Sequence, residues 1–163
     1  MPRYQISFVR PGDATTYTAG DVVCDASGTK EQLLSGEDIT TGWIDSAKLS
    51  ISNSNTTNAT FELFFFSDDA NIPALVDNAA FVMSPALEED LLGYAAFTLI
   101  TTGSSGSGVA WAHVKNLDIP FTQKISSGSA QGIYCVLTAT GAYDPVGELT
   151  TVDITVFVLD DSV

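Results

Sequence analysis

Charge is scarce in this sequence, and positive charge most of all. Of its 163 residues, 16% are charged, against roughly a quarter in ordinary globular chains. Lys and Arg together number 6 against 20 Asp and Glu, for a formal charge of −14. Such a surface repels phosphate, so neither nucleic acid nor an anionic membrane is an expected partner. There is one histidine, His113, and there are two cysteines, Cys24 and Cys135. Two cysteines are too few for a disulfide framework, and with one histidine they match none of the usual zinc-ligand spacings. Cys135 lies in the apolar run Ile133-Tyr134-Cys135-Val136-Leu137 and reads as a buried free thiol. His113 stands in Ala110-Trp111-Ala112-His113-Val114, away from any nucleophile motif. A catalytic dyad would need a Cys beside it and a third group to orient it. No catalytic, metal-binding or cofactor-binding residue is therefore assigned. No apolar run approaches the roughly 20 residues that span a bilayer. The opening Met1-Pro2-Arg3-Tyr4 lacks an apolar signal segment. The expectation is a chain made and kept in a cytoplasm unless it leaves as part of something larger.

What the sequence does have is apolar residues, 45% of the total, enough to offset the entropy of folding. The length suits one domain of residues 1–163, with 1–16 as a candidate N-terminal arm. The dominant period is two. Val152, Ile154, Val156 and Val158 fall on one face, and Thr151, Asp153, Thr155, Phe157 and Leu159 on the other, which is a strand signature. Similar alternation predicts strands over 133–140, 59–66, 47–51, 94–101 and 109–114, with shorter candidates at 4–9, 16–24 and 119–122. Polar segments at 52–58 and 102–108 and a turn at 141–147 separate them. Ser84 as N-cap, Pro85 at the first helical position, early acids and Gly93 as a stop predict one short helix over 84–93. Residues 29–35 read as a further helical turn or two. About eight antiparallel strands joined by turns predict an all-β fold, a β-sandwich of jelly-roll type. Its expected core is Leu49, Ile51, Phe61, Leu63, Phe65, Leu137, Ile154 and Val156.

Two strands are apolar on both faces. Phe61, Leu63 and Phe65 share one side, which leaves Phe64 and Phe66 on the other; the last strand likewise turns Phe157 and Leu159 away from its valines. A strand apolar on both faces is buried on both. Either the long excursion 68–93 folds back over that sheet, or Phe64, Phe66, Phe157 and Leu159 form a subunit interface. Asp68, Asp69, Asn71 and Asp77 lack the ordered spacing of a calcium loop and read as turn residues. Trp43, Trp111, Tyr94 and Tyr143 are candidate sugar-stacking residues, with core or turn packing as the alternative.

Several segments carry a family resemblance: Tyr17-Thr18-Ala19-Gly20-Asp21-Val22-Val23, Ala47-Lys48-Leu49-Ser50-Ile51-Ser52-Asn53-Ser54, Ala59-Thr60-Phe61-Glu62-Leu63-Phe64-Phe65-Phe66, Asp77-Asn78-Ala79-Ala80-Phe81 and the turn Gly141-Ala142-Tyr143-Asp144-Pro145. In this order, from about Tyr17 to the C-terminus, the chain resembles capsid cement (decoration) proteins of tailed bacteriophages with a jelly-roll fold. The resemblance implies a non-enzymatic virion protein without cofactors. Such a protein binds the major capsid protein on the outer surface of an assembled capsid, often as a homotrimer. The acidic charge suits a position away from packaged DNA. A carbohydrate- or receptor-binding β-sandwich module of a tail fibre or baseplate is the competing expectation.

Overall fold

A computed structural model describes residues 1–34, 39–52, 58–101, 108–123, 125–126, 129–130, 132–145 and 149–160. Its strands are β1 (Arg3–Arg10), β2 (Val22–Val23), β3 (Glu31–Leu34), β4 (Thr41–Ile51), β5 (Thr60–Phe66), β6 (Leu91–Thr98), β7 (Ile100–Thr101), β8 (Ala110–Val114), β9 (Ile119–Thr122), β10 (Ile125–Ser126), β11 (Ser129–Ala130), β12 (Ile133–Ala139) and β13 (Thr150–Asp160). One helix, α1 (Pro85–Glu88), precedes β6. Sheet one has the order β1-β13-β4-β8-β7, with β9 also on β4; sheet two has the order β2-β12-β5-β6, with β3 also on β12. All these pairings are antiparallel. Among the described residues, strands β10 and β11 pair only with each other.

Strands β2 and β3 both pair with β12 and act as one interrupted strand. Counted so, the principal strands run first-eighth-third-sixth in sheet one and second-seventh-fourth-fifth in sheet two. Successive strands cross between the two layers, except the fourth and fifth, which are neighbours in sheet two, in the manner of a jelly roll. The inward faces of both sheets meet in one apolar cluster. It holds all eight residues expected in the core, each at most 3% exposed.

Several sequence expectations change once the chain is folded. Residues 1–16 are not an arm throughout, because Arg3–Arg10 forms the edge strand of sheet one, paired along its length with β13. Residues 31–34, expected to be helical, extend along β12 as β3; Leu33 and Leu34 are buried there. The predicted helix is cut short. Ser84 does cap it, its hydroxyl accepting from the Leu87 N–H at 3.2 Å. Gly93, expected to stop it, lies in β6 opposite Phe65, beside an irregularity in the ladder. Strand β4 is longer than 47–51, and its register slips against β13 between Phe157 and Val158. The extra residue puts Ile44 and Ala47 on the same inner face, which breaks the alternation that marks a strand in sequence. The expected strand 94–101 divides. Its first part pairs with β5 in sheet two, and Ile100–Thr101 pairs with β8 in sheet one, with Leu99 buried at the crossing. The Gly/Ser segment at 102–107, most of the 52–58 loop and the end of the 141–147 turn lie outside the described residues.

Candidate interaction surface

Phe64, Phe66, Phe157 and Leu159 do not form one surface. The core-facing residues of β5 and β13 come from different sheets, so their outward residues lie on opposite sides of the sandwich. Alternation assigns each side chain to a face of its own strand; only strand pairing says which layer that face belongs to.

On the outer side of sheet two, the chain covers part of itself and leaves Tyr94 of β6 54% exposed. Phe66 is fully buried in a second apolar cluster with Val22, Cys24, Ile72, Leu75, Leu87 and Val136. Ile72, Leu75 and Leu87 come from the excursion between β5 and β6. Phe64 is half-buried, its ring 6.0 Å from Phe81 and 5.9 Å from Tyr94. Beside it lies an open groove of about 430 Å³ lined by residues that include Glu62, Phe64, Phe81, Met83 and Thr138.

Turn chemistry and a buried ionic network hold the excursion down. Asp68 Oδ1 accepts from the Ala70 N–H at 3.0 Å, and Asn71 donates to Asp90 Oδ2 at 2.8 Å. Lys30 Nζ reaches the Asp69 carbonyl at 2.8 Å. Gly28 has φ +64°, and a Cβ there would collide with the Leu75 carbonyl oxygen, so the β2–β3 loop and the excursion meet backbone to backbone. Asp77 receives the Tyr17 hydroxyl at 2.7 Å and the Cys24 N–H at 3.1 Å. Arg10, fully buried at the end of β1, donates to the Tyr17 oxygen and lies 3.7 Å from Asp77. Burial pushes the Asp77 carboxyl up, against the lowering effect of Tyr17, the Cys24 N–H and Arg10. Burial, then the Asp77 hydrogen bond, holds the Tyr17 hydroxyl far above its ordinary range. Tyr143 stacks on Tyr17 at 5.3 Å and is buried, so it packs the interior and does not offer a stacking platform. Among the described residues, no three His, Cys, Asp or Glu side chains converge as a metal site.

The outer side of sheet one is different. Register places Arg3 beside Phe157, Leu159 beside Trp43, Lys48 beside His113, and Trp111 between Ser50 and Ile100. The Phe157 and His113 rings are 5.7 Å apart, and Lys48 Nζ stands 5.7 Å over the Trp111 ring. Trp43 is 41% exposed, Leu159 42% and Ile100 50%; Phe157 and Trp111 are half-buried. Both tryptophans of the chain thus lie on one outer face. Sequence reasoning found each aromatic but not their company: Lys48, His113 and Arg3 belong to three different strands.

No protein-family model matches the chain, and no curated protein matches it. Solved structures do. A structure of deformed wing virus carrying the GFP gene matches at 12% identity over 99% of this chain and 44% of the other, with a TM-score of 0.34. The capsid asymmetric unit of cyanophage Pam1 matches at 12% identity over 96% and 80%, TM-score 0.31. A family two carbohydrate esterase from Cellvibrio japonicus matches at 9% identity over 99% and 37%, TM-score 0.29. Likeness of this size carries no argument about function. The jelly-roll assignment rests on the chain's own strand order.

Proposed function

We propose that this chain is a structural virion protein that binds the outer surface of an assembled phage capsid and stabilises it, as a trimer and without enzymatic activity. The observation that supports this best is a jelly roll that covers much of one outer face with its own excursion and leaves both tryptophans on the other face, where no excursion lies over them among the described residues. Large open apolar patches on a soluble protein commonly mark a partner. The sequence resemblance names the class of partner, and the charge of −14 suits an outer-shell position. The test uses purified particles of the encoding virus, with and without the gene. Particles should carry the protein in numbers on the scale of capsid subunits, and deletion should lower the temperature at which they release DNA. Light scattering should give three times the chain mass. A few copies confined to the tail would overturn the reading.

Exposed Trp43 favours a second reading, a carbohydrate- or receptor-binding module of a tail fibre or baseplate. The geometry gives it less support. Trp111 pairs with Ser50, seven residues along β4 from Trp43, a separation of roughly 20 Å at about 3.3 Å per residue. One sugar ring cannot stack on both. Copy number per particle separates the two readings, and binding on a glycan array would favour the second.

A further inference from the structure

We propose that the outward face of sheet one is the surface laid on the capsid, and that it docks against an apolar protein surface bordered by carboxylates. This rests on the capsid-binding reading above. The argument is the distribution of charge over the two outer faces. The excursion over sheet two, residues 67–93, carries Asp68, Asp69, Glu88 and Glu89 at its surface, with Asp77 and Asp90 buried beneath, and no Lys or Arg of its own, though Lys30 reaches its Asp69 carbonyl; Glu62 adds to that side from β5, in the wall of the groove. The outward rows of sheet one carry Arg3, Lys48 and His113 among Trp43, Trp111, Phe157 and Leu159, with Asp153 in the same rows and Asp45 at the β4 irregularity. In a chain with 6 Lys and Arg in all, of which Arg10 is buried, two lie among the aromatic residues of this face. Aromatic anchors flanked by Arg3 and Lys48 match an apolar patch whose rim accepts hydrogen bonds.

A second copy is the other occupant to weigh. Like faces brought together would have to set Arg3 and Lys48 against Asp153 and Asp45 of the other copy, and would join two chains that each carry −14. The acidic side of a second copy would complement the cations. But the two faces lie on opposite sides of the sandwich, and a contact between opposite sides propagates as an open stack and does not close. The capsid is therefore the occupant argued for, with the acid-rich side of sheet two turned to solvent.

The experiment titrates purified protein onto particles of the encoding virus that lack it. Arg3→Glu with Lys48→Glu should weaken binding at least tenfold and flatten its dependence on salt. Glu62→Lys with Tyr94→Ala, on the opposite side, should bind as wild type. Independently of any variant, hydroxyl-radical oxidation should find Trp43 and Trp111 protected on the particle and Tyr94 as reactive as in free protein. Wild-type binding by the first variant, loss by the second, or protection of Tyr94 in place of the tryptophans overturns the assignment while leaving capsid binding intact. Failure of wild-type protein to bind any particle overturns the capsid reading itself. Filaments of pure wild-type protein that the first variant abolishes would give the face to a second copy and overturn the proposal.

Discussion

Phe66 and Leu159 occupy equivalent places in the sequence pattern, both outward residues of strands that are apolar on both sides, yet their environments predict different costs of truncation. Phe66 is fully buried among Ile72, Leu75, Leu87 and Val136. Phe66→Ala removes a ring from a closed cluster, which costs roughly 3–5 kcal/mol, a large part of the roughly 5–15 kcal/mol that holds an ordinary domain together. At about 2–4 °C per kcal/mol for a chain of this size, the melting temperature should fall by roughly 6–20 °C. Leu159 is 42% exposed. Fully burying a leucine is worth about 1.5–3 kcal/mol, so Leu159→Ala should cost about 1 kcal/mol and a few degrees. Thermal unfolding by circular dichroism measures both, with light scattering on the same samples. The reasoning fails if Phe66→Ala melts no lower than Leu159→Ala. It fails equally if the Phe66 variant keeps its stability and changes its mass, since the ring would then be covered by another subunit and not by its own excursion.

Arg10→Met should destabilise by about 3–5 kcal/mol, because it leaves the buried Asp77 without its cation. Losing Arg10 raises the Asp77 carboxyl further above its unfolded value of about 3.9; the folded chain then holds that proton more tightly, so the deficit is smallest at acid pH and grows as pH rises through the folded-state value. Urea titrations across that range measure it. Gly28→Ala should cost more than about 1 kcal/mol, since alanine must adopt φ +64° against the Leu75 carbonyl; limited proteolysis should show the excursion loosened. Burial, then Asp77, pushes the Cys24 thiol up to about 12, and burial, then Glu31, raises Cys135. Near pH 8 neither should react with a thiol reagent until the protein unfolds, and rapid labelling of the native protein would contradict that placement.

The short-range pattern of residues determined much of this protein. Period-two alternation located most principal strands and sorted their side chains into two faces, because successive Cβ atoms point to opposite sides of any extended chain. It also named the core, because Leu49, Phe61, Leu137 and Ile154 are apolar wherever their strands are placed. Ser84 and Pro85 marked the helix start because capping is local. What alternation lacks is any record of pairing. Whether β5 and β13 share a sheet depends on hydrogen bonds between residues far apart in the chain, and so the four outward apolar residues looked like one surface in sequence while folding sent them to opposite sides. Irregularities hid for the same reason. The β4 slip against β13, the crossing of the chain between sheets at Leu99 and the extended course of 31–34 are each settled by a partner strand and not by propensity. The candidate surface is the extreme case. Arg3, Trp43, Lys48, Trp111, His113, Phe157 and Leu159 come from four strands, and only the lateral order β1-β13-β4-β8 brings an aromatic run and two of the scarce cations together on one side of an acidic protein.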